Sequence, residues 1–165
     1  MKHFLLLIIC SLASHFTKSQ SYQLVTADGK STEISDRSLV ILVNNMNCMG
    51  CFEDLSTICK KLKSTVPEFY VLFDTKFIQP YERYQKISEV EKNLHFKNVK
   101  FLFLELNSSV GYGEFNCPQC DMMRSPNLVL RINGQNLCQC NSYLFNEEAN
   151  VSQIVKEIKL QFQSK

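Results

Sequence analysis

Residues 38–63 read "SLVILVNNMNCMGCFEDLSTICKKLK". Ser38 to Val43 is a continuous apolar run rich in β-branched residues, the pattern of a strand buried on both faces. A helix is predicted over Phe52 to Thr65. At about 100° per residue, Cys51, Leu55, Ile58, Cys59 and Leu62 fall on one stripe. Lys60, Lys61 and Lys63 enrich its last turns, where cations suit the helix dipole, and Pro67 stops it. Between strand and helix, Cys48 and Cys51 bracket Met49 and Gly50.

That placement has chemical consequences. A helix starting near Cys51 leaves Cys48 beside unpaired backbone N–H groups and the positive end of the dipole. Such a setting stabilises a thiolate and lowers the thiol pKa below its free value of about 8.5. Cys51, on the buried stripe, is shielded and suited to resolving a mixed disulfide formed at Cys48. The alternatives are a structural disulfide stapling turn to helix and a soft-metal site.

The N-terminus bears on which chemistry is available. Lys2 and His3 precede the apolar run "FLLLIICSLA", and small residues stand at Thr17 and Ser19. This is a signal-peptide pattern over 1–19, too short to span a bilayer well, with the working domain at 20–165. Cleavage there removes Lys2 and Lys18, so 16 basic residues face 16 acidic ones and the net charge falls from +2 to zero. Nothing in that balance attracts nucleic acid or an anionic membrane. Only His95 of the three histidines would remain, which excludes a His-rich metal site. Seven of the eight cysteines would remain in an exported, periplasmic or secreted chain, where disulfides are expected. An odd number leaves at least one thiol without an internal partner.

Further along, "FYVLF" (69–73) reads as a second strand, 81–94 as a helix behind Pro80, and "VKFLFLEL" (99–106) as a third strand. A long loop leads to Pro126. "NLVLRI", the turn "NGQ" and "NLCQC" form a hairpin, and a helix is predicted from about Val151 to Phe162 with Asn150 and Gln153 as a capping box. The order β-α-β-α-β-loop-β-β-α implies an α/β fold: a central, mostly parallel sheet with a C-terminal antiparallel hairpin and helices on both faces.

With these elements in place the sequence resembles the thioredoxin-like superfamily, in particular its TlpA/peroxiredoxin-like branch of exported thiol–disulfide oxidoreductases. The resemblance covers Leu39 to Phe162. It rests on "VILVNNMNCMGC", on the inserted β-α unit before the loop, and on "SPNLVLRINGQ". It implies a thioredoxin-like fold in which Cys48 is the nucleophile and Cys51 the resolving thiol. Pro126 matches the family's cis-proline, so the Ser125–Pro126 backbone would bind a substrate segment. The implied partners are a protein or peptide disulfide substrate and a redox partner protein, with no metal or organic cofactor. The sequence departs from thioredoxins at Asn47, where Trp is common, at Leu42, where a buried acid stands, and at Met49–Gly50.

"MNCMGC" also resembles the M-x-C-x-x-C of heavy-metal-associated domains, with Met46, Cys48 and Cys51 as soft ligands suited to copper or zinc. Such a module needs a hairpin straight after its first helix, and "FYVLFDTKFIQPY" offers none. A second cluster, Cys117 and Cys120 with Cys138 and Cys140, has three readings: structural disulfides, a four-cysteine zinc site, or a redox relay. Cys138 and Cys140 alternate on one strand and are expected on the same face. Cys59 reads as a buried, inert thiol and His95 as structural or solvent-facing. Asn107 and Asn150 begin glycosylation sequons, and Met122–Met123 reads as a loop anchor.

Overall fold

The computed structural model describes residues 22–43, 49–75, 78–106, 127–133, 135–140 and 148–163. Its elements run β1 (Tyr22–Val25), β2 (Ser38–Val43), α1 (Met49–Leu62), β3 (Glu68–Asp74), a 3-10 turn (Pro80–Glu82) leading into α2 (Arg83–Asn93), β4 (Lys100–Leu106), β5 (Asn127–Ile132), β6 (Gln135–Cys140) and α3 (Glu148–Gln163). β2 spans the residues its apolar run predicts, and all six are buried.

The strands form one sheet in the order β1-β4-β3-β2-β5-β6. β2, β3 and β4 are parallel, while β1/β4, β2/β5 and β5/β6 are antiparallel. The sheet is therefore mixed rather than mostly parallel. The added antiparallel ladder comes from β1, a four-residue strand that the sequence reading did not place.

Strand alternation splits the core in two. Leu39, Ile41, Val71, Phe73, Phe103 and Leu130 face one side, where they join residues from all three helices. Val40, Leu42, Tyr70, Leu72, Leu102 and Val129 face the other, joined by Leu24 and Ile34. Among the described residues no helix contributes to this second cluster, which corrects the expectation of helices on both faces. The steps β2 to β3 and β3 to β4 move the same way across the sheet. Right-handed crossovers then deliver α1 and α2 to the same side. α3 packs beside them, and Arg37 anchors its end by donating to the Phe162 carbonyl at 3.0 Å.

Helix ends also shift from expectation. α1 begins at Met49, three residues early, and closes as the Thr65 and Val66 N–H groups donate to the Leu62 carbonyl. Pro80 opens a 3-10 turn instead of an α-turn, fixed by the Gln79 N–H donating to the Glu82 carboxylate at 2.8 Å. α3 starts at Glu148, so Asn150 lies inside its first turn and does not cap it; Gln153 donates instead to Glu157 at 3.0 Å. Among the described residues no helix is long and apolar enough to cross a membrane.

Candidate functional site

β2, β3 and β4 all finish at one edge of the sheet, at Val43, Asp74 and Leu106. α1 begins at that edge, directly after Cys48 in sequence, so Cys51 is the third helical residue. The first turn of a helix has N–H groups without helical partners, which gives it partial positive character. Cys51 itself is 3% exposed, and Leu55, Ile58, Cys59 and Leu62 are wholly buried, as the predicted stripe requires. The Cys51 sulfur is disulfide-bonded, and its partner lies outside the residues whose side chains are described. Cys48 and Met46 lie outside the described residues.

The other candidate residues attach to the same edge through the chain. β5 begins with Asn127 paired to Leu42, so Ser125 and Pro126, themselves outside the described residues, directly precede a strand that starts beside the end of β2. The segment 107–126, which carries Cys117 and Cys120, leaves β4 and enters β5 at this edge; it too lies outside the described residues. β6 ends here at Cys140.

Cys138 and Cys140 do not sit in an unbroken alternation. Cys138 pairs with Val129 and Cys140 with Leu128, with a register shift between them. Val129 belongs to the second core cluster and Leu128 to the helix-side cluster. One extra residue in a bulge resets the side-chain period. The register shift therefore falls between the partners of the two cysteines, whose side chains lie outside the described residues.

The electrostatics around Cys51 differ from those expected of a thioredoxin. Leu42 is buried in the apolar second cluster, so β2 supplies no acid there. One turn beyond Cys51, burial and then the neighbouring Glu53 charge raise the Asp54 carboxyl above its ordinary pKa. The sequence reading did not single out Asp54; its signal was the i+3 spacing from Cys51, which brings the two to neighbouring positions on the helix surface.

Cys59 is free and buried, and burial pushes its thiol up to about 12. A thiol held that high is protonated and inert at neutral pH. His95 is exposed, and its backbone N–H donates to the Ser56 hydroxyl at 3.1 Å. Ser56 in turn donates to the Phe52 carbonyl at 2.6 Å, so this contact ties α1 to the chain after α2. Among the described residues no three His, Cys, Asp or Glu side chains converge as a metal site.

No protein-family model matches the chain, and no curated protein matches it. Matching solved structures include a "putative electron transfer protein from Aquifex aeolicus VF5", with a TM-score of 0.35 and 12% sequence identity over 83% of this chain and 90% of that one. At that similarity neither fold nor chemistry transfers from one chain to the other.

Proposed function

We propose that this chain is an exported thiol–disulfide oxidoreductase of thioredoxin-like architecture, in the TlpA/peroxiredoxin-like branch, with residues 1–19 removed on export. Cys48 is the nucleophile and Cys51, three residues further, its disulfide partner. One observation carries the reading: a buried, disulfide-bonded cysteine in the first turn of a helix, just after the central strand. The parallel β2/β3 pair and the antiparallel β5/β6 hairpin beside β2 support the architecture.

The exchange conserves electrons. With the pair reduced, the Cys48 thiolate attacks a substrate disulfide, forming a mixed disulfide and releasing one substrate thiolate. Cys51 then loses its proton and attacks the Cys48 sulfur, releasing the second substrate thiolate and leaving the pair oxidised. From the disulfide form the same steps run backwards and oxidise a substrate dithiol. The direction follows the pair's potential relative to its partner. Backbone groups at Ser125–Pro126 pair with the substrate segment.

Trapping tests the proposal. Cys51→Ser should accumulate mixed disulfides through Cys48, visible as thiol-sensitive adducts by mass. If Cys48 alkylates no faster than an ordinary cysteine and traps nothing, or if stoichiometric copper or zinc purifies with the protein, the reading fails.

A further inference from the structure

β1 pairs with β4 along its whole length, from Tyr22 opposite Leu106 to Val25 opposite Phe103. Its other side is engaged too: the Thr32 N–H donates to the Leu24 carbonyl at 2.9 Å, and Val25 bridges Ser31. Leu24 and Val25 are buried. The folded chain is therefore fixed from Tyr22 onward. Removal of residues 1–19 leaves Gln20 and Ser21 ahead of this strand. Two residues reach at most about 7 Å, and β1 is the outermost strand of the sheet. The new terminus is thus tethered to the sheet's outer strand, at the carboxyl end of β4.

The identity of residue 20 then matters. An α-amino group titrates at about 7.7–8.0, so at neutral pH an appreciable share is the free base with a nucleophilic lone pair. In Gln20 that nitrogen can reach the carboxamide carbon, Cδ, of its own side chain. Attack forms an N–Cδ bond in a five-membered lactam, and the carboxamide C–N bond breaks. The carboxamide nitrogen leaves as ammonia, taking the proton shed by the amine. No oxidant, reductant or cofactor is consumed. Glutamine is suited by its length, since asparagine would have to close a four-membered ring. Ser21 and Tyr22 carry no amide carbon to attack.

We infer, resting on the export reading above, that Gln20 becomes the first residue of the mature protein and closes to a pyroglutamate. The lactam removes the terminal positive charge. Basic and acidic side chains balance in the mature chain, 16 against 16. Its two termini would otherwise cancel, so cyclisation leaves the chain one unit negative. The lactam also withholds the free amine that aminopeptidases recognise. β1 is only four residues long, so trimming from a free terminus would soon remove Tyr22 and its pairing with Leu106. The cap preserves the strand that ends the sheet.

The test uses protein expressed as the full precursor in a secreting cell and collected after export. Its N-terminal peptide should begin at Gln20 and weigh less than the unmodified peptide by one ammonia. Stepwise N-terminal degradation should stall on it, and pyroglutamyl peptidase should unblock it to leave Ser21 first. Gln20→Asn should keep a free amine and focus one charge more basic than the wild type. It should also lose residues to an aminopeptidase that leaves the wild type intact. A Gln20 terminus whose amine stays free after prolonged incubation at neutral pH would overturn the inference alone. A terminus elsewhere would overturn it together with the 1–19 boundary, and a retained leader would sink the export reading as well. Thiol exchange is read separately, by oxidation of dithiothreitol. A blocked Gln20 on a protein without exchange activity upholds the cap and fails the oxidoreductase reading.

Discussion

Cys51 and Cys59 stand about two turns apart on one buried stripe of α1, with their sulfurs in opposite states: one is in a disulfide and the other is a free thiol. Burial alone therefore does not decide which cysteine is chemically competent. Cys51 occupies the first turn, at the sheet edge where Cys48 precedes the helix, while Cys59 has only core side chains around it.

Cys59 should resist iodoacetamide in the native protein at pH 8 and react once unfolded. Its folded thiol titrates near 12 against an ordinary 9.0. The unfolded chain thus loses this proton first, and stability should fall as pH rises from about 9 towards 12. Cys59→Ala should remove that alkaline slope and cost about 1 kcal/mol in packing, read from urea unfolding.

Glu68 is a hub for the chain before β2. Its carboxylate accepts from Ser35 and Tyr70, and from Lys100 at 2.6 Å. Lys100 first, then Ser35 and Tyr70, hold its pKa at about 2 against an ordinary 4.5. The contribution is complete above pH 4.5 and is lost as pH falls towards 2. Tyr70→Phe should cost about 1 kcal/mol, one net hydrogen bond, and make the acid slope shallower in denaturation followed by circular dichroism.

Arg83 is 4% exposed, lies 5.1 Å from the Phe103 ring centroid and pairs with Glu105. Glu105→Gln should leave a buried cation without its counter-charge. The expected cost is about 2 kcal/mol, below that of a fully buried pair because Glu105 reaches solvent. Adding Arg83→Met should recover most of it. A double-mutant cycle in urea checks the coupling, and additive costs would rule it out.

Asp54 places a carboxylate one turn from Cys51. In the reduced protein, Asp54→Asn should remove a negative charge that opposes thiolate formation. The pH profile of thiol alkylation at the Cys48–Cys51 pair should then shift to lower pH by a few tenths of a unit. A profile that stays in place would show that this carboxyl does not sense the pair.

How far the fold could be read depends on the element. β2 was legible residue for residue because both of its faces are apolar, a pattern helices rarely share. α1 was placed late at its start because Gly50 and a cysteine-bearing turn carry weak helix signals. β1, "YQLV", is too short for periodicity to detect and gains its identity only from pairing with β4. The one-sided helix layer and the β6 bulge are matters of strand order and register, which local patterns do not encode. Within the site, spacing alone placed Cys51 on the buried stripe and Cys59 as inert. Asp54 escaped notice because an acid on a helix surface looks like any solvated residue until its burial is known.

β2 is hydrogen-bonded to a neighbour along both sides, and α1, which carries the disulfide-bonded Cys51, follows it in sequence. Backbone amides so placed exchange with deuterium only when the whole domain opens. The disulfide-bonded start of α1 thus follows a strand that is protected along both sides. Reducing the disulfide should then change exchange rates at the start of α1 while β2 keeps its protection, so that any change at Cys51 stays local to the helix start.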